Sequence, residues 1–285
     1  MEQAAPDTRL LLDGIVFPEG PRWHEDRLWF SDMHGGRVVS VDVNGRAEVA
    51  VAVPRGPSGL GWLPDGRLLV VSTADRRLLR HDPAGLVEVA DLSAFTSFAC
   101  NDMVVDARGN AYVGTINFDI FRDAAFRPAP VLLVRPDGDA AVAAAELDFP
   151  NGSVITPDGR TLIVGETFGG RLTAFDIRPD GTLAGRRTWA AVEGMSPDGI
   201  CLDAEGAVWV ASPVSGEVLR VREGGTVTAR LRATQRPYAC MLGGLERRTL
   251  FVCTAPTHHR DKLVARPPSG RIEVVDVAVA GAGLP

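Results

Sequence analysis

The chain has 285 residues, a length that admits two average domains or one large all-β domain. Gly 31 and Pro 20 break the apolar residues into short valine- and leucine-rich runs, which excludes a helical bundle. Lys+Arg 30 against Asp+Glu 36 leave a net charge of −6 with no basic block, so nucleic acid is excluded as a partner.

In chain order, the segment from Met1 to Arg9 has no basic region followed by an apolar core. No later apolar run reaches the roughly 18 residues of a membrane span. A soluble, cytoplasmic protein with no membrane partner is expected. Arg9 to Leu12 reads as a first, isolated strand. From there a repeat sets in. Strand-like segments begin at Leu28, Leu68, Ala111, Leu162, Val208 and Leu250, a period of about 45 residues of the kind that defines repeat folds. Turns such as Pro64-Asp65-Gly66-Arg67, Ala107-Arg108-Gly109-Asn110, Pro157-Asp158-Gly159-Arg160 and Ala204-Glu205-Gly206-Ala207 precede four of them. In these turns glycine accepts the positive φ of a tight hairpin.

Third strands are predicted over 37–43, 77–82, 131–135, 171–176, 217–222 and 271–277. Fourth strands follow over 48–53, 87–92, 140–147, 186–192 and 227–232. The sixth repeat lacks a fourth strand and the N-terminus has one to spare. The expectation is therefore one all-β domain over 1–285, a six-bladed β-propeller of four-stranded antiparallel blades, its ring closed by the N-terminal strand. The long interruption 116–130 is expected to cross one face of the disc.

Just before each hairpin lies a short segment whose central residue is, in order, Glu19, Ser58, Asn101, Asn151, Asp198 and Tyr238. These positions open the innermost strand of each blade, so the six side chains should converge on the mouth of the central channel. Taken singly, such residues cap strands in tight Pro-x-Gly turns. Taken together, two carboxylates and two amides facing one another require a neutralising partner, and an all-oxygen set suits calcium or magnesium and tolerates manganese or zinc.

Phe17-Pro18-Glu19-Gly20-Pro21-Arg22-Trp23, Cys100-Asn101-Asp102, Pro150-Asn151-Gly152 with Pro157-Asp158-Gly159, and Ser196-Pro197-Asp198-Gly199 resemble the senescence-marker-protein/gluconolactonase family, the regucalcin-like lactonases. The likeness runs from about Leu11 to Val277. It implies a six-bladed propeller holding one divalent metal, calcium foremost, on Glu19, Asn151 and Asp198, with Asn101 beside it on the substrate. It also implies hydrolysis of a small lactone or ester: the ion polarises the carbonyl and activates water, Asp198 doubles as ligand and base, and Asn101 orients the carbonyl.

The departures are informative. Ala99 stands where sugar-lactone hydrolases of this type carry arginine, and where they use a polar or acidic residue shortly after the Gly-Thr of the third blade this chain has Gly114-Thr115-Ile116-Asn117-Phe118. With Phe98, Phe118, Phe121, Met195 and Tyr238 around the mouth, Phe118 and Tyr238 are expected to contact a substrate less polar than a sugar lactone. A sugar-lactone hydrolase, a non-catalytic binding propeller and a strictosidine-synthase-like condensing enzyme are the alternatives.

The remaining groups carry less chemistry. His258 and His259 are expected to overhang the active face, while His24, His34 and His81 lack a neighbouring nucleophile pattern. Asp102 is read as ordering its turn. Cys100, Cys201, Cys240 and Cys253 form no metal or disulfide spacing, and Lys262 is the only lysine. No Gly-x-Ser-x-Gly elbow or phosphate-binding glycine loop is present.

Overall fold

A computed structural model of the chain describes residues 7–120, 122 and 124–283. Phe121 and the Met1–Pro6 stretch lie outside the described residues.

The first strand, β1 (Arg9–Ile15), is followed by blade one: β2 (Pro18–His24), β3 (Arg27–Asp32), β4 (Arg37–Val41) and β5 (Ala47–Ala52). Blade two holds β6 (Pro57–Trp62), β7 (Leu68–Ser72), β8 (Arg77–Asp82) and β9 (Gly85–Asp91). Blade three holds β10 (Ala99–Val105), β11 (Ala111–Ile116), β12 (Ala129–Val134) and β13 (Ala140–Leu147). Blade four holds β14 (Pro150–Ile155), β15 (Thr161–Glu166), β16 (Arg171–Ile177) and β17 (Leu183–Ala191). Blade five holds β18 (Ile200–Leu202), β19 (Val208–Ser212), β20 (Glu217–Val221) and β21 (Val227–Arg232). Blade six holds β22 (Arg236–Gly243), β23 (Thr249–Ala255) and β24 (Gly270–Asp276), with β1 pairing antiparallel on the outer side of β24.

This is the six-bladed propeller expected from the repeat. The inner strands β2, β6, β10, β14, β18 and β22 touch in that order, and β22 returns to β2. The first strand runs three residues further than expected, to Ile15. A short helix, α1 (Arg260–Val264), forms in the β23–β24 connection, where only a loop was expected.

Burial follows position in the blade. Strands such as β19 are buried at every residue because neighbouring blades cover both faces, whereas the outer β21 alternates between half-buried and exposed. Hairpin turns take the predicted form: Gly66, Gly109, Gly159 and Gly206 have φ of 83°, 86°, 70° and 76°. The aspartates in these turns accept backbone N–H groups two residues on, as Asp158 does from Arg160 at 3.0 Å.

In five of the six blades the ring segment proves to be a β-bulge rather than a turn, whereas in blade five Pro197-Asp198-Gly199 precedes β18 without a register slip. Pairing slips between Glu19 and Arg22, Pro57 and Leu60, Cys100 and Met103, Pro150 and Ser153, and Pro237 and Ala239. A bulge re-aims a side chain without ending the strand, and here it directs the ring residue into the channel. The following glycine permits close blade contact: a Cβ on Gly152 would lie 2.5 Å from Asp198 O, and one on Gly59 would lie 2.3 Å from Met103 N.

Candidate active site

All six ring residues are buried, with Glu19, Asn101 and Asp198 each 8% exposed. Glu19, Asn101, Asn151, Asp198 and Tyr238 line one cavity of about 220 Å³ at the mouth where the inner strands begin. Ser58 is buried beside it, with its hydroxyl 3.5 Å from Asn101 Oδ1.

The electrostatics of the floor are unbalanced. Burial, the nearby Asp198 and Asp102 hold the Glu19 carboxyl well above the ordinary range. Burial and the charge of Asp102 push Asp198 up to about 8, against a hydrogen bond from Asn151. Asp102 is also raised by burial, but it pairs with the buried Arg22 guanidinium at 2.9 Å and accepts from Met103 N at 2.8 Å. Asp102 thus orders its own backbone, as expected, and also closes an ion pair in the channel. Three buried carboxylates therefore share one buried guanidinium, which is spent on Asp102, while the other guanidinium lining the cavity, Arg236, is exposed.

The donors fit a divalent cation. The Asn151 amide donates from Nδ2 to Thr167 Oγ1 at 3.1 Å, and the Thr167 hydroxyl donates in turn to Pro197 O at 2.7 Å. Among the described residues no three His, Cys, Asp or Glu side chains are grouped to hold a metal, so an ion on Glu19 and Asp198 would need further oxygens from an amide, a backbone carbonyl or water. Two buried carboxylates lacking a cationic partner, with an oriented amide beside them, form a hard-ion donor set.

The wall is two-sided. Phe98, Ile116, Ile120, Phe149 and Phe168 form an apolar half contributed by blades three and four. His34, Arg236 and His258 stand on the other side, contributed by blades one and six. Burial and the neighbouring His259 push His258 down to about 4, so its imidazole is neutral at pH 7. Burial also lowers His34, whose Nε2 lies 3.2 Å from His258 O. Ala99, the small residue two before Asn101, lines the cavity.

Phe118 is not among the lining residues. It packs behind the wall, its ring 5.7 Å from Phe168 and 6.1 Å from Phe149. Met195 is buried in the core between blades four and five. Phe149 and Phe168 take the wall positions instead. Phe149 holds a left-handed φ of 66°, a sparsely populated region for a bulky residue.

Arg22, His34, Thr167 and Phe149 stand at the site although the repeat pattern does not single them out. Arg22 left a readable signal: three residues after the ring position, the other blades carry Gly61, Val104, Val154, Cys201 and Met241, and blade one alone carries a charge.

The SMP-30/Gluconolactonase/LRE-like region matches residues 17–256. The chain is 27% identical over 263 residues to pentonolactonase XacC of Haloferax volcanii, covering 87% of this chain and 84% of that protein. It is 26% identical over 278 residues to 6-deoxy-6-sulfogluconolactonase of Pseudomonas putida, covering 95% and 94%. A crystal structure of regucalcin from Agrobacterium tumefaciens shares the fold with a TM-score of 0.81 at 23% identity, over 98% of this chain and 97% of that one. With its propeller, its ring of polar residues and this match across most of its length, the chain belongs to the SMP-30/gluconolactonase/LRE-like family.

Proposed function

We propose that the protein is a metal-dependent lactone hydrolase whose divalent ion, calcium foremost, is held by Glu19, Asn151 and Asp198. The observation that carries this reading is the floor of the cavity: two carboxylates raised by burial and by neighbouring carboxylates, an amide beside them, and no ion-pair partner of their own. The names of the two relatives, both lactonases, support the reaction class.

When bound, the ion would supply Lewis-acid polarisation of the ester carbonyl and lower the pKa of water. The side chains do the rest. Asp198 accepts the proton of the attacking water, Asn101 donates its Nδ2–H to the carbonyl oxygen as charge develops there, and Arg22 keeps Asp102 from competing as a base by pairing with it. The wall of Phe98, Ile116, Ile120, Phe149 and Phe168 excludes water and selects an apolar substituent.

A panel of lactones graded from gluconolactone to alkyl and aryl lactones, run with chelated enzyme and with calcium, magnesium, manganese or zinc restored, tests this. Hydrophobic lactones should be preferred, and activity should vanish on chelation. Asp198→Ala and Glu19→Gln should lower kcat by at least ~10³-fold with the fold intact. Full turnover by demonstrably metal-free enzyme overturns the mechanism. The sugar lactonases named among the relatives favour a second reading, a sugar-lactone substrate; preference for gluconolactone over every hydrophobic lactone would establish it.

A further inference from the structure

The six-fold arrangement divides the ring into facing pairs three blades apart: Glu19 with Asn151, Ser58 with Asp198, and Asn101 with Tyr238. The first two pairs contain all three proposed metal ligands. The third consists of two hydrogen-bond donors, and both are orphaned: Asn101 Nδ2 and Tyr238 Oη are buried with no hydrogen-bond partner. Both residues line the same cavity.

The hydroxyl of Tyr238 is not needed for packing. Its ring sits edge-on to Phe17 at 4.8 Å, in a cluster with Phe17, Ala255 and Leu263 that a phenylalanine would fill equally well. The chain's other tyrosine shows the ordinary solution, since Tyr112 Oη donates to Gly181 O at 2.8 Å. A buried hydroxyl without a partner costs free energy unless a ligand satisfies it. No hydrogen bond of accepted distance and angle joins the Tyr238 hydroxyl to the Arg236 guanidinium, which lies close enough only to oppose the rise of the phenol. Burial, reinforced by the nearby Asp198, pushes the phenol up, so it remains a donor at neutral pH.

Resting on the lactone-hydrolase reading, we propose that Tyr238 is a catalytic residue whose Oη–H donates to the ring oxygen of the lactone while Asn101 serves the carbonyl oxygen from the opposite side. The two oxygens of an ester group point in different directions from the carbonyl carbon, which is what donors on opposite blades can serve. Water oxygen adds to the carbonyl carbon and its proton passes to Asp198. The bond between that carbon and the ring oxygen then breaks, the electron pair staying on the ring oxygen. Tyr238 stabilises the nascent alkoxide until the proton held by Asp198 reaches it, which leaves an open-chain hydroxy acid. Asp198 is in place for this, because Gly199 N bonds Tyr238 O at 2.8 Å and sets the two residues side by side.

The test compares wild type, Tyr238→Phe and Asn101→Ala on two six-membered lactones, δ-decalactone with an alkanol leaving group and dihydrocoumarin with a phenol leaving group. A donor to the leaving oxygen matters most where that oxygen is most basic. Tyr238→Phe is expected to lower kcat about 10²-fold on the alkyl lactone, with under about five-fold loss on the aryl lactone. Asn101→Ala is expected to lower both by similar factors, and calcium binding and Tm of Tyr238→Phe should match wild type. Equal losses of Tyr238→Phe on both lactones, or none on the alkyl lactone, overturn the proposal. So does a Tyr238→Phe protein that unfolds or loses its metal, because the hydroxyl would then be structural. Wild type inactive on every lactone overturns the underlying reading and this inference together, whereas active wild type with an unaffected variant overturns the inference alone.

Discussion

At the scale of single residues, the ring position concentrates charge where water is excluded, and Asp198 reports the consequence. Its carboxyl, pushed up to about 8 by burial and by Asp102, holds a proton that the unfolded chain gives up near the ordinary aspartate value of ~4. A group raised in this way lowers the stability of the metal-free protein progressively as pH rises between those two values. A divalent ion displaces the proton and removes the penalty. The rise in Tm caused by excess calcium should therefore be larger at pH 8 than at pH 5.5, measured by differential scanning fluorimetry. A gain that is flat or falling over this interval would argue against Glu19 and Asp198 as ligands. The polar identity of the ring was legible in the sequence because it recurs at one position of each repeat. The partner of Asp102 was less so: Arg22 sits 80 residues away in the chain and meets it only because blades one and three face a common channel.

At the scale of the element, blades one and four are tied to their entry segments by an acidic residue ending the second strand. In blade one Asp32 accepts from Val16 N and Phe17 N at 3.1 and 3.0 Å. In blade four Glu166, fully buried, accepts from Asp148 N at 2.7 Å and from the Thr173 hydroxyl, and pairs with Arg171 at 2.7 Å. Burial alone would raise the Glu166 carboxyl, but these donors outweigh it and hold it below the ordinary range. The stability it contributes is present above the unfolded-state value and is lost as pH falls through the lowered folded one. Glu166→Gln should destabilise the fold by about 2 kcal/mol at pH 7, with the difference from wild type shrinking toward pH 3 in urea titrations. An undiminished difference at low pH would show that the charge is not the source. Strand order and hairpin turns were readable from alternation and Asp-Gly signals. The bulges were not, because a Pro-x-Gly segment reads as a turn until the strands on both sides are seen to continue through it.

At the scale of the whole molecule, closure depends on β1. It pairs with β24 through Arg9 with Val274 and Leu12 with Ile272, and supplies the fourth strand that blade six lacks in sequence order. Removing residues 1–15 would leave the edge of β24 open and uncover apolar residues such as Ile272 and Val274, both buried in the intact ring. The truncated protein should lose at least roughly 10 °C in Tm and self-associate in size-exclusion chromatography. A monomer with unchanged Tm would mean that closure adds nothing. Among the described residues no helix is long and apolar enough to cross a membrane.

What the amino-acid sequence determined by itself was periodic: six repeats, their strands, and one polar position per repeat, because hydrophobic alternation and turn chemistry act between near neighbours and recur with the period. What only the tertiary structure decided was which residues from different blades meet. The Arg22–Asp102 pair, the wall built from Phe149 and Phe168 in place of Phe118, and the orphaned donors of Asn101 and Tyr238 all arise from closing the ring. Closure brings together side chains whose separation along the chain carries no trace of their separation in space.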